Sequence, residues 1–85
     1  MRARYRVARG RVSRFIVQLE VLLEGKWRPV VRYDTSHRFA HQDLYRRRGR
    51  VVKTNLSMSF EEALTHALAD LRENWESYRE KFLGA

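Results

Sequence analysis

The spacing of apolar residues changes once along this chain, from every second position to every third or fourth, and that change fixes the fold class. Through residues 14–24, Phe15, Val17, Leu19, Val21 and Leu23 alternate with Ile16, Gln18, Glu20, Leu22 and Glu24. Successive strand side chains point to opposite faces, so this is a half-buried strand. From residue 59 onward, Phe60, Leu64, Ala67, Leu68, Leu71, Trp75, Tyr78 and Phe82 recur at helical spacing. They make an apolar stripe roughly 100° wide. Ser59 with Glu62 forms a capping box, Glu61 and Glu62 suit the positive end of the helix dipole, and Arg79 and Lys81 suit the other end. Gly84 is a stop signal.

Between these two segments the chain reads as further strands. Gly25 supplies a turn. Residues 27–34 return with Trp27, Val31 and Tyr33 on one face and Arg28, Val30, Arg32 and Asp34 on the other. Pro29 lacks an N–H, so its nitrogen must face away from a neighbouring strand. Residues 39–46 and 50–56 give two more short strands, separated by Arg47-Arg48-Gly49. The expected architecture is α+β: an antiparallel meander of three to four strands with one long C-terminal helix packed on one face. Residues 1–85 make a single domain, with 1–13 a basic arm or edge strand, 14–56 the meander and 59–83 the helix. A helix of that length spans roughly 36 Å, whereas a seven-residue strand spans roughly 23 Å. The helix is therefore expected to overhang the sheet and to offer Trp75, Tyr78 and Phe82 to a second copy or a small protein partner.

Charge divides the chain along the same line. Residues 1–56 carry 15 Lys/Arg against 4 Asp/Glu, and residues 57–85 carry 3 against 6. A concentrated positive field attracts polyanions, of which nucleic acid is the commonest in a cell. Arginine supplies 15 of the 18 basic residues, and its planar fork suits phosphate. Candidate nucleic-acid contacts are Arg4, Arg6, Arg9, Arg11 and Arg14 in the first segment, then Arg28 and Arg38. Arg46, Arg47, Arg48, Arg50 and Lys53 continue the set around the last turn. Tyr5, Tyr33 and Tyr45 interleave with them and are either base-stacking platforms or ordinary sheet aromatics. The chain has no cysteine, which excludes disulfides, thiolate zinc sites and a thiol nucleophile. No apolar run is long enough to span a bilayer, and Arg2, Arg4 and Arg6 precede no segment of signal-peptide type. A cytoplasmic location without membrane association is expected.

The densest reactive chemistry lies in residues 32–43. Arg32, His37, His41 and Asp43 form a candidate catalytic set for metal-independent RNA cleavage: an imidazole to move a proton and an arginine to hold the phosphate. His37, His41 and Asp43, or the same set with Asp34, form an alternative metal site. Their spacing matches no zinc motif, so no metal or other cofactor is expected. In a third reading these residues are structural: Asp34 accepts N–H groups of its own turn, His41 bonds across the sheet and Asp43 pairs with an arginine. His66 is expected on the solvated side of the helix.

The segment Arg32-Tyr33-Asp34-Thr35-Ser36-His37 through His41-Gln42-Asp43-Leu44 resembles a signature of small uncharacterised prokaryotic proteins, a domain-of-unknown-function family, in which a similar motif precedes a C-terminal helix. More distantly the chain resembles TumE-type proteins of toxin–antitoxin loci. Arg38 stands where that signature has glycine, and Gln42 where it has arginine. The resemblance implies a nucleic-acid-directed or toxin-like role. Three functions are thus in play: nucleic-acid binding, RNA foremost; a ribonuclease toxin; and a protein-interaction module without nucleic acid.

Overall fold

A computed structural model describes residues 1–84 and shows a five-stranded antiparallel sheet with one helix. The strands are β1 (Arg2–Ala8), β2 (Arg11–Leu23), β3 (Lys26–Asp34), β4 (His41–Tyr45) and β5 (Val51–Asn55), in that spatial order. Helix α1 runs from Phe60 to Gly84. The α+β meander holds, with one strand more than expected: the basic N-terminal segment is not a free arm but an edge strand along β2.

Two tight hairpins explain why β1 pairs at all. Arg9 and Gly10 have φ of 53° and 75°, and Glu24 and Gly25 have 53° and 79°. Two residues with positive φ match the right-handed twist of the flanking strands, so each pair closes a two-residue hairpin. Ala8 then faces Arg11, and Leu23 faces Lys26. Six arginines in the first fourteen residues mask the alternation of Ala3, Tyr5 and Val7 that would otherwise announce a strand.

A bulge corrects the expected faces of β3. Leu19 pairs with Val31 but Glu20 pairs with Pro29, so Val30 is an extra residue. The insertion inverts the alternation N-terminal to it. Val30 and Val31 are both buried, Trp27 turns outward at 66% exposure, and Arg28 joins the helix-covered face opposite Val21. Pro29 lies beside the bulge and beyond the reach of β4, where its missing N–H costs no ladder bond.

The core lies between the helix and one face of the sheet. Phe15, Val17, Leu19 and Val21 of β2 and Val31 and Tyr33 of β3 pack against Ala63, Ala67, Leu71 and Phe82. At thirteen residues β2 spans roughly 43 Å, longer than the roughly 38 Å of a 25-residue helix. The helix therefore does not overhang. Its first turn is tied to the start of β2, where Glu61 accepts from Arg11 Nε and from the backbone N–H of Val12. Ser59 caps it, accepting from the Glu62 N–H at 3.2 Å and donating its hydroxyl to the Glu62 carboxylate at 2.9 Å. At the far end Arg47 donates to the Leu83 carbonyl, Arg28 donates to the Arg47 carbonyl, and the Arg28 guanidinium lies over the Phe82 ring. Phe82 is thus buried within its own chain. Tyr78 is half-buried and bonded to Asp70, which leaves Trp75, at 43% exposure, as the one expected interface aromatic that is broadly open to solvent.

Candidate nucleic-acid interface and buried Asp–His–Asp cluster

Residues paired directly across a sheet share a face, so the strand registers determine which side chains meet on the side away from the helix. One row crosses all five strands: Arg2, Gln18, Arg32, Asp43 and Lys53. The next row reads Arg4, Ile16, Asp34, His41 and Asn55, and beyond it Arg6 faces Arg14. The helix lies on the other side, so its carboxylates do not reach this face. Six cationic side chains therefore share it: Arg2, Arg4, Arg6, Arg14, Arg32 and Lys53.

The carboxylates of this face are each engaged by a basic group. Glu20 accepts from Arg2 at 2.8 Å, Asp34 from His41 at 2.8 Å and Asp43 from Lys53 at 3.1 Å. Arg32 is oriented by the Gln18 carbonyl at 2.7 Å, with its guanidinium 5.9 Å from the centre of the Tyr45 ring. Among the described residues Arg4, Arg6 and Arg14 form no salt bridge. Arg6 and Arg14 are direct cross-strand neighbours, and like charges in that position are destabilising. Around them an open cleft of about 1200 Å³ runs between β1–β2 and the β3–β4 loop, lined by Arg4, Arg6, Arg14, Ser36 and Arg38 among others.

Arg38 occupies that loop at φ 68°, a left-handed conformation that favours glycine. The turn keeps the backbone geometry expected of a glycine and carries a guanidinium instead. The remaining candidates divide by location. Arg9 lies in the first hairpin turn, and Arg46, Arg48 and Arg50 surround the β4–β5 turn. Arg11, Arg28 and Arg47 are committed to the helix: Arg11 to Glu61, Arg28 to Phe82 and Arg47 to the last helical carbonyls. Glu61 is held down at about 2, first by the hydrogen bond from Arg11 and then by the Val12 N–H.

The candidate catalytic set is brought only partly together. Arg32, His41 and Asp43 lie on one face, while His37 is exposed in the loop, its ring 5.7 Å from that of His41. His41 is buried, as are Asp34 and Asp43. Its Nε2 lies 2.8 Å from Asp34 Oδ1 and 3.8 Å from Asp43 Oδ1, and its Nδ1 faces the Phe39 carbonyl at 3.4 Å. Asp34 also accepts from the backbone N–H and hydroxyl of Ser36 in the turn that follows it. The structural roles expected of Asp34 and His41 are thus present, whereas Asp43 pairs with Lys53 of the adjacent strand β5 and not with an arginine. The potential metal-binding group is Asp34, His41 and Asp43, whose ligand atoms all lie within 4.8 Å of one another, and it does not include His37.

A second polar group, on the helix face, went unrecognised in the sequence. Tyr33 and Tyr78 both donate to Asp70 Oδ2, Asn74 donates to Asp70 Oδ1, and Gln42 donates to the Tyr33 hydroxyl. Burial opposes the charged form of Asp70, but these donors outweigh it and hold its carboxyl below the ordinary range. Burial, then the bond to Asp70, pushes both tyrosine hydroxyls up. Tyr33 is therefore a buried pin between sheet and helix and not a base-stacking platform. His66 is exposed on the helix, as expected, and its ring sits edge-on to Tyr33 at 5.7 Å. Asp70 is four residues before Asn74 and eight before Tyr78, a one-face helical spacing that was the available signal.

The chain belongs to a family described as a domain of unknown function, DUF7718, whose match spans residues 1–85. No curated protein and no solved structure matches it. No helix among the described residues is long and apolar enough to cross a membrane.

Proposed function

We propose that this domain binds nucleic acid, RNA foremost, through the face of the sheet opposite the helix. The observation that carries the reading is the convergence of Arg4, Arg6 and Arg14 on that face without carboxylate partners among the described residues. Arg6 opposite Arg14 costs stability in the free protein, and a bound phosphate removes that cost. Arg32, fixed by Gln18 above Tyr45, and Arg38 at the lip of the cleft extend the surface along a backbone. A basic groove of this kind tracks a single strand through its phosphates, with little sequence preference.

The geometry favours binding over cleavage. The His41 ring is buried with acceptors at both nitrogens, which is a poor arrangement for taking a proton from a 2′-hydroxyl. On this reading the protein works in the cytoplasm by occupying RNA, a role in keeping with the nucleic-acid-directed one that the resemblance to toxin–antitoxin proteins implies. Trp75 and Trp27, which share a shallow groove with Met1 and Leu22, leave room for a second copy or a small protein partner.

The test is a fluorescence-anisotropy titration of labelled single-stranded RNA at several salt concentrations, with the RNA recovered and sized afterwards. The expected result is intact RNA and an affinity that falls steeply with salt, with a slope of about −0.7 for each phosphate neutralised. Salt-independent binding, or none, would overturn the proposal. Cleavage abolished by His41→Ala with binding retained would establish the ribonuclease reading instead.

A further inference from the structure

Either neutral tautomer of His41 leaves one ring nitrogen with its lone pair toward an acceptor. A neutral imidazole carries a single N–H. Both ring nitrogens of His41 face only acceptors: Nδ1 the Phe39 carbonyl at 3.4 Å, and Nε2 the Asp34 and Asp43 carboxylates at 2.8 and 3.8 Å. With Nε2 donating to Asp34, the Nδ1 lone pair faces the Phe39 carbonyl; with Nδ1 donating to that carbonyl, the Nε2 lone pair faces the two carboxylates. The second tautomer leaves Nε2 able to ligate a cation, with Nδ1 donating to the carbonyl. In metal sites the ligating histidine characteristically donates its other N–H to a backbone carbonyl or carboxylate, which fixes ring and tautomer. Phe39 stands in that position.

The carboxylates are arranged in the same way. Asp34 is adjacent to His41 across the β3–β4 ladder, and Asp43 is two residues along β4 on the same face. Ser36 fixes Asp34 through its N–H at 3.2 Å and its hydroxyl at 3.1 Å. All three residues are buried, and their donor atoms fall within 4.8 Å of one another. Lys53 is the one competitor. Its ammonium lies 3.1 Å from Asp43 Oδ1, but the side chain is 65% exposed and free to swing into solvent.

We propose that Asp34, His41 and Asp43 bind a divalent cation of the borderline class, with zinc as the representative ion. One imidazole and two carboxylates suit zinc, manganese or ferrous iron, and two negative charges match one dication. Three protein donors leave further coordination positions, and the face they belong to also carries Arg32, the cross-strand neighbour of Asp43. An oxygen of water or of a phosphate group is the ligand that such a position takes. Metal uptake is measured without RNA, so its failure and the failure of the RNA-binding proposal are distinguishable.

The experiment is equilibrium dialysis of chelator-stripped full-length protein against Zn²⁺, read by elemental analysis, alongside Co²⁺ titration read by visible absorption. The expected result is a single tightly bound ion per chain and a tetrahedral or five-coordinate Co²⁺ spectrum. Asp43→Asn is expected to weaken uptake at least ~10-fold, and Ser36→Ala, which frees Asp34, to weaken it by a similar factor. Lys53→Met is expected to strengthen uptake by removing the competing ammonium, whereas His66→Gln on the opposite face leaves it unchanged. Wild-type protein that is folded by circular dichroism yet takes up neither ion would overturn the proposal, whatever the variants do. So would uptake that survives Asp43→Asn but is lost in His66→Gln.

Discussion

The two faces of the sheet are built from the same strands and treat charge in opposite ways. On the helix side a half-buried carboxylate, Asp70, is surrounded by neutral donors, and Arg28 and Arg47, which reach that side, are spent on the end of the helix. On the other side every carboxylate has a basic group beside it, and among the described residues Arg4, Arg6, Arg14 and Arg32 have no carboxylate partner. A protein that minimised its own energy would not leave Arg6 opposite Arg14. Stability is concentrated on one face and the unsatisfied positive charge on the other, which is the pattern of a scaffold carrying a site.

Substitutions on the two faces should therefore separate. The largest effect belongs to the covered side: Leu71→Ala, at a fully buried position, is expected to cost about 3 kcal/mol in urea unfolding. The folded fraction should still bind RNA with the wild-type salt slope. Tyr33→Phe is expected to cost about 1–2 kcal/mol, because it removes a donor from Asp70 and an acceptor from Gln42. The same network sets an acid limit. Asp70 is lowered from its ordinary 3.8, so its contribution to stability is in place above that value and is lost as pH falls through the lower folded value. Asp70→Asn should flatten that acid limb, and an unchanged limb would show that other carboxylates set it.

How far the sequence shows these features depends on the period of each element. The helix and β2 are visible because their apolar spacing is clean, and the Ser59–Glu62 cap because it is local. β1 is only half legible, because its arginines leave the segment readable as either a basic arm or an edge strand, although Arg9-Gly10 is a hairpin signal as strong as Glu24-Gly25. The reversal at Trp27 depends on one inserted residue, Val30, and spacing alone cannot reveal a bulge. Asp34, His41 and Asp43 are close enough in sequence to be grouped in advance. The burial that sets their chemistry requires the β3–β4 register and the loop folded over it. Arg28 and Arg47 count as basic surface in the sequence and become helix anchors only once β3 and the β4–β5 turn reach the helix C-terminus.

Smaller effects sharpen the contrast from the open side. Arg38→Gly relieves left-handed strain of roughly 1 kcal/mol while adding roughly 0.5 kcal/mol of unfolded-chain entropy, so a net gain of about 0.5 kcal/mol is expected by thermal unfolding. RNA affinity should fall at the same time. The pair Arg6→Gln with Arg14→Gln should leave stability within about 0.5 kcal/mol of wild type and flatten the salt slope of RNA binding by about 1.4.

The most direct measurement follows the arginine Nε–Hε signals by NMR as single-stranded RNA is added. Arg4, Arg6, Arg14 and Arg32 should shift together and saturate, while Arg72 and Arg79 on the helix stay in place. Shifts that spread evenly over both groups, or fall on the helix arginines alone, would contradict a binding surface on the uncovered face of the sheet.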